Sequence, residues 1–129
     1  MDEIKKILTE SKTIAVVGLS PKEDRPSYRV AYYLKSKGYR IIPVNPNAQE
    51  ILGEKSYPDL RSIPENIDVV DIFRKSEDVL PVVDEAIQTG AKAVWMQEDI
   101  VNEPAAQKAR SAGLLVVMDR CMLKEHRKL

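Results

Sequence analysis

A chain of 129 residues has room for one compact domain with an adequate core and little beyond it. Its 20 basic and 20 acidic side chains balance, which excludes the one-sided charge of a general nucleic-acid binder. The single cysteine, Cys121, excludes an internal disulfide framework and suits a reducing compartment. No apolar run approaches the ~20 residues that cross a bilayer, and Met1-Asp2-Glu3-Ile4-Lys5-Lys6 lacks the apolar stretch of a signal peptide. The expectation is a soluble cytoplasmic protein with neither a nucleic-acid nor a membrane partner.

Residues 2–11 read as a lead-in helix with Ile4, Ile7 and Leu8 on its apolar side. An apolar strand follows at 13–18. It runs into Gly18-Leu19-Ser20, a charged loop, and a helix opened by Pro26 that carries Val30, Tyr33 and Leu34 on one face. Tyr28, Tyr32 and Tyr33 share this helix. Gly38 stops it and a second strand occupies 40–44. The stretch 45–66 is rich in Pro, Asn and Gly but too long for a featureless loop. It is expected to hold a turn of helix near Gln49–Leu52 and a short edge strand near Lys55–Tyr57.

A strand at 68–73 precedes a helix with a 3.6-residue stripe of Val79, Val82, Val83, Ala86 and Ile87. Pro81 moves the start of that helix beyond Ser76. After Gly90 a strand is predicted at 92–96. Asn102 then caps a helix with Pro104 in its first turn and Ala105, Ala109 and Ala112 turned inward. Gly113 leads into a last strand at 114–118. Residues 121–129 read as a C-terminal tail with His126 in solvent. Near-continuous apolar strands alternating with helices predict an α/β, Rossmann-like doubly wound parallel sheet over residues 1–129. Its helices cover both faces, and its expected strand order is 3-2-1-4-5-6 with the edge strand counted.

In such sheets the ligand crevice lies beyond the carboxyl ends of the strands. Those ends are Gly18-Leu19-Ser20, Asn45-Pro46, Phe73-Arg74, Trp95-Met96-Gln97 and Asp119-Arg120-Cys121. The first, feeding a helix with free N–H groups, suits a phosphate or diphosphate; Gly18 is equally explained as the glycine of a tight turn. Neither a G-x-G-x-x-G fingerprint nor a G-x-x-x-x-G-K-[ST] loop is present. Arg25 is placed to pair with a phosphate or to be an ordinary surface arginine.

Asn45 stands where a dinucleotide site wants a carboxylate for the ribose hydroxyls, which makes NAD(P) a minority reading. Phe73-Arg74 offers an aromatic face beside a cation for a nucleobase and phosphate. Trp95 and Gln97 offer an apolar wall and an amide, with core packing the simpler reading for both aromatics. No catalytic set assembles around the one histidine. Cys121, beside Asp119 and Arg120, reads more simply as a small buried hydrophobe than as a reactive thiol. Glu98-Asp99 supplies too few ligands for a metal.

Taken together and in order, several segments carry a resemblance. They are Gly18-Leu19-Ser20 with Arg25-Pro26-Ser27-Tyr28, Val44-Asn45-Pro46, Val70-Asp71-Ile72-Phe73-Arg74, Val94-Trp95-Met96-Gln97, Asn102-Glu103 with Ala105-Ala106, and Met118-Asp119-Arg120-Cys121. From about residue 12 to 127 the chain resembles the small stand-alone CoA-binding proteins, relatives of the CoA-binding domain of the succinyl-CoA synthetase alpha subunit.

The resemblance implies a Rossmann-like domain holding coenzyme A or an acyl-CoA at the carboxyl ends of the strands, as a non-catalytic module. Gly18, Leu19 and Ser20 would line the diphosphate turn, with Arg25, Ser27 and Tyr28 at the helix start facing it. Asn45 and Pro46 would flank the nucleotide, Phe73 and Arg74 would border the adenine or a phosphate, and Trp95 and Gln97 would follow the pantetheine path. Relatives usually carry an apolar residue and a glycine where this chain has Glu98-Asp99, and acidic groups near a polyanion oppose its binding.

The synthetase's phosphohistidine comes from a separate domain, so ligase activity is not implied. An acyl-CoA-handling enzyme using Cys121 or Ser20, and a nucleotide or NAD(P) protein, stay open as alternatives. A homodimer or an enzyme partner is equally open.

Overall fold

A computed structural model describes residues 2–129. Five parallel strands form one sheet: β1 (Thr13–Val17), β2 (Arg40–Val44), β5 (Val69–Ile72), β6 (Ala93–Met96) and β7 (Leu115–Val117), in the order β2-β1-β5-β6-β7. Between β2 and β5 lies a two-stranded hairpin, β3 (Glu50–Ile51) and β4 (Glu54–Lys55). Beyond the first residue of β1, β2 and β7, every residue of the parallel sheet is buried. Such strands need cover on both faces, and the fold is the expected Rossmann-like doubly wound α/β layer.

Side chains alternate across the sheet with the period of two that a strand imposes. Ile14, Val16, Val69, Ala93 and Trp95 face one layer, built from α1 (Glu3–Glu10), α2 (Pro26–Ser36) and α5 (Met122–His126). Ala15, Val17, Val70, Ile72, Val94 and Met96 face the other, where α3 (Val79–Gln88) and α4 (Glu103–Ser111) contribute Val79, Val83, Ala86, Ala105, Ala106 and Ala109. Val79 opens α3 after a 3-10 turn at Ser76–Asp78, so Pro81 falls in the first turn, where a missing N–H costs nothing. The Asn102 side chain accepts the Ala105 N–H at 3.0 Å, the expected cap of α4. Ala112, expected inside, lies past the helix end and is exposed.

The long stretch after β2 departs from expectation. No helical turn forms near Gln49–Leu52; the segment is the β3–β4 hairpin. Leu52 and Gly53, both at positive φ, make its two-residue loop. This loop buries Ile51 against the α2 layer, and Lys35 of α2 holds the hairpin by pairing with Glu54 at 3.1 Å.

The edge strand expected near Lys55–Tyr57 shrinks to one parallel bridge between Val44 and Tyr57. Tyr57 donates to the Pro43 carbonyl and accepts from Asn45. The next rung would need an N–H from Pro43, which has none, so the ladder stops there. Counted as in the sequence, the five strands keep the predicted order without the third.

The C-terminal residues are not a free tail. Met122 is buried, and His126 Nδ1 lies 2.8 Å from the Tyr33 hydroxyl with its ring edge-on to Tyr33 and Tyr39. Burial, and then the nearby Lys37 ammonium, pull the His126 pKa below the usual imidazole value. Periodicity over five residues is too short to reveal α5; its docking against α2 depends on contacts from far along the chain. Among the described residues, no helix is long and apolar enough to cross a membrane.

Candidate functional site

The carboxyl ends of β1, β2 and β5 converge on Gly18. Its φ is +87°, and a Cβ built there would lie 2.1 Å from the Phe73 carbonyl oxygen and 3.1 Å from Nη1 of Arg74. Glycine is therefore required twice, by conformation and by space. Gly18 N–H donates to the Val44 carbonyl at 3.0 Å, which ties the turn to the end of β2. Leu19 is fully buried in the α2 layer, so only its backbone lines the turn. Ser20 N–H donates to the buried Ser27 Oγ at 3.0 Å, and Ser20 Oγ accepts from Lys22 N–H at 3.1 Å. These contacts hold the turn on the first residues of α2.

The start of α2 is bare. Arg25 at the cap position makes no side-chain cap, Pro26 has no N–H, and the first turn carries no acidic residue. The first intrahelical donor is Arg29 N–H, bonded to the Arg25 carbonyl, which leaves the Ser27 and Tyr28 N–H groups without an intrahelical acceptor. A helix of eleven residues with an uncompensated amino end favours an anion. Arg25 is exposed and Arg74 half-buried, and neither belongs to any of the ion pairs among the described residues. The unpaired Arg74 guanidinium thus lies against the turn, and Arg25 stands at the start of α2. Along α2 and the loop before it lies a cleft of about 350 Å³ lined by Glu23, Tyr28, Arg29 and Tyr32, with the Tyr28 and Tyr32 rings stacked at 6.4 Å.

The other expected site residues divide. Pro46 is exposed and Phe73 half-buried at the same rim. The Asn45 side chain is consumed internally, donating to the Leu19 carbonyl at 3.0 Å and accepting from Asn47 N–H at 2.8 Å.

Trp95 follows the simpler reading, core packing, and not the ligand path the resemblance implied: it is fully buried, and its indole N–H donates to the Arg120 carbonyl at 2.8 Å. Its place in β6 points it into the α2 layer, where a large apolar ring is worth more as core. Gln97 also turns inward. It is 4% exposed, and its Nε2 donates to Asp71 Oδ1 at 2.6 Å.

Asp71 was not anticipated as a site group. It sits fully buried in the middle strand, with Oδ2 lacking any partner. Burial pushes its pKa up to about 7, and the Gln97 hydrogen bond offsets part of that rise. The sequence signal was present: one acid inside the apolar run Val69-Val70-Asp71-Ile72.

In the acidic loop one of the two carboxylates, Glu98, is paired with a cation. Both Glu98 carboxylate oxygens accept from Lys124, at 2.9 and 3.1 Å. Asp99 N–H donates to Asp119 Oδ1 at 2.7 Å, and both aspartates adopt positive φ, +69° and +61°. Asp99 therefore occupies a left-handed position, which glycine fills most readily and Asp tolerates. Cys121 is half-buried against the α2 layer.

Fold and rim together define a Rossmann-like α/β protein whose first strand–helix turn carries a glycine at positive φ and runs into a helix start without a side-chain cap. The chain belongs to the CoA binding domain family, whose model matches residues 12–127. It is 45% identical over 124 residues to the uncharacterized protein YneT of Bacillus subtilis, covering 96% of this chain and 92% of that one. A hypothetical protein from Pyrococcus horikoshii OT3 superposes with a TM-score of 0.96 at 45% identity, covering all of this chain and 92% of the other. An ADP-forming acetate–CoA ligase II of Archaeoglobus fulgidus is 37% identical over 83 residues, 63% of this chain. The chain spans only 12% of that ligase.

Proposed function

We propose that this protein binds coenzyme A or an acyl-CoA at the carboxyl ends of β1, β2 and β5, as a binding module without chemistry of its own. The observation that carries the reading is the Gly18 turn, packed against the Phe73 carbonyl with the Arg74 guanidinium beside it. With the bare start of α2, it offers N–H donors and two free arginines to a diphosphate. Pro46, Phe73 and the Tyr28 ring supply apolar surface for the nucleotide. Family membership names the ligand class. The one histidine, His126, is hydrogen-bonded to Tyr33.

Coenzyme A at a hundredfold excess over its Kd is expected to add about 2.7 kcal/mol of stability. That is a rise in Tm on the order of 10 °C for a domain this small. Desulfo-CoA is expected to match it and NADH to leave Tm unchanged. Arg74→Ala is expected to weaken binding about tenfold by removing a fork donor. Calorimetric titration with no heat at millimolar coenzyme A would overturn the reading.

A further inference from the structure

Asn45 is anchored more completely than a ligand contact should be. Its backbone N–H donates to the Tyr57 carbonyl at 2.9 Å, and its carbonyl accepts from Ser56 Oγ at 3.1 Å. Its amide Nδ2 donates to the Leu19 carbonyl at 3.0 Å, and Oδ1 accepts the Asn47 N–H at 2.8 Å. One residue therefore joins the Gly18-Leu19 turn, the end of β2, the following bend and the segment after the hairpin. The Leu19–Ser20 peptide is thereby held on both sides, its carbonyl by Asn45 and its N–H by Ser27 Oγ, which fixes the course of the turn into α2. An aspartate of the same shape would keep the bond to Asn47 but set a carboxylate against the Leu19 carbonyl, two acceptors facing each other. Asparagine suits this position because it donates at one end and accepts at the other.

We infer that Asn45 is a positioning residue: its side chain touches no ligand and instead holds the first turn in the shape that binds the diphosphate. The inference rests on the coenzyme A reading of the site. It also gives a physical reason why the end of β2 carries an amide where dinucleotide folds place a ribose-binding carboxylate.

The test is coenzyme A titration of wild type, Asn45→Ala and Asn45→Asp at about pH 8 and about pH 5, with amide hydrogen exchange on the ligand-free proteins. Asn45→Ala is expected to bind about tenfold more weakly at both pH values, with faster exchange at Gly18 and Ser20, whose N–H groups are now bonded to Val44 and Ser27. Asn45→Asp is expected to bind weakly at the higher pH and to recover relative to wild type at the lower. There its protonated carboxyl regains a donor for the Leu19 carbonyl.

Binding by Asn45→Ala within twofold of wild type would overturn the inference. So would weakened binding with exchange at residues 18–20 unchanged, which would point to direct contact. If Asn45→Ala does not fold, the pH recovery of Asn45→Asp decides. If wild type itself does not bind, the coenzyme A reading falls, and exchange alone judges the clamp.

Discussion

Gly18→Ala is expected to lower stability by about 3 kcal/mol or more and to abolish the response to coenzyme A. Two costs add. A residue with a Cβ held at φ +87° is strained by about 1 kcal/mol. The new methyl would also meet the Phe73 carbonyl oxygen at 2.1 Å, far inside contact distance. That carbonyl cannot step aside, because Phe73 N–H is bonded to Val17 at 2.9 Å and the Gly18 N–H to Val44 at 3.0 Å. Relief has to come from shifting a strand end, and overpacking of that kind costs roughly 1–3 kcal/mol.

Gly38→Ala is the matched control. Gly38 has φ +98° but no atom within 4 Å of its Cβ position, so only the conformational cost of about 1 kcal/mol is expected. Denaturant unfolding of the two variants measures the difference. Equal losses would show that the turn is not closed over Gly18.

Asp71→Asn is expected to change the pH dependence of stability, reversing sign within the accessible range. Asp71 has a folded pKa near 7 against an ordinary 3.8, so the native protein keeps a proton that the unfolded chain releases. The stabilisation is complete below about pH 4 and is lost as pH rises through about 7, a change of about 4 kcal/mol. Above that range wild type carries a buried carboxylate with one oxygen unpartnered and, among the described residues, no cation that shifts its pKa.

Asparagine cannot ionise, but it buries an amide N–H in place of the orphan oxygen, at a cost of about 2 kcal/mol. The variant is therefore expected to be less stable than wild type by about 2 kcal/mol near pH 4 and more stable by a similar amount near pH 8. Urea titrations of both proteins across this range test it, since other groups cancel in the difference. Parallel stability curves would show that Asp71 is either solvated or charge-paired.

The two effects concern the same rim from opposite sides. Gly18 sets how closely the first turn approaches β5. Asp71, two residues before Phe73 on that strand, joins β5 to the loop after β6 through Gln97.

Much of the fold was legible because its signals are local. The stripe from Val79 to Ile87, the Asn102 cap and the apolar runs of the five strands each lie within about a dozen residues, and secondary structure is decided at that range. The glycine turn was legible for the same reason: strand, glycine and proline-started helix are consecutive. Alternatives stayed open, or were chosen wrongly, where partners are distant. Trp95 and Gln97 sit at a strand end, as expected, but which way they face depends on Arg120 and Asp71, 25 and 26 residues away. His126 looked solvated until its partner, 93 residues earlier, was known to be Tyr33.

By itself, then, the order of amino acids determined a doubly wound parallel sheet, the rim on which a ligand would lie, and the glycine turn at its centre. Those follow from periodicity, capping and backbone sterics, which act over one or two turns of chain. Only the packed structure decided that Asn45 braces that turn, that Asp71 and Gln97 are buried against each other, and that the last helix docks on α2. Each of these depends on hydrogen bonds and burial between segments the chain brings together only when folded.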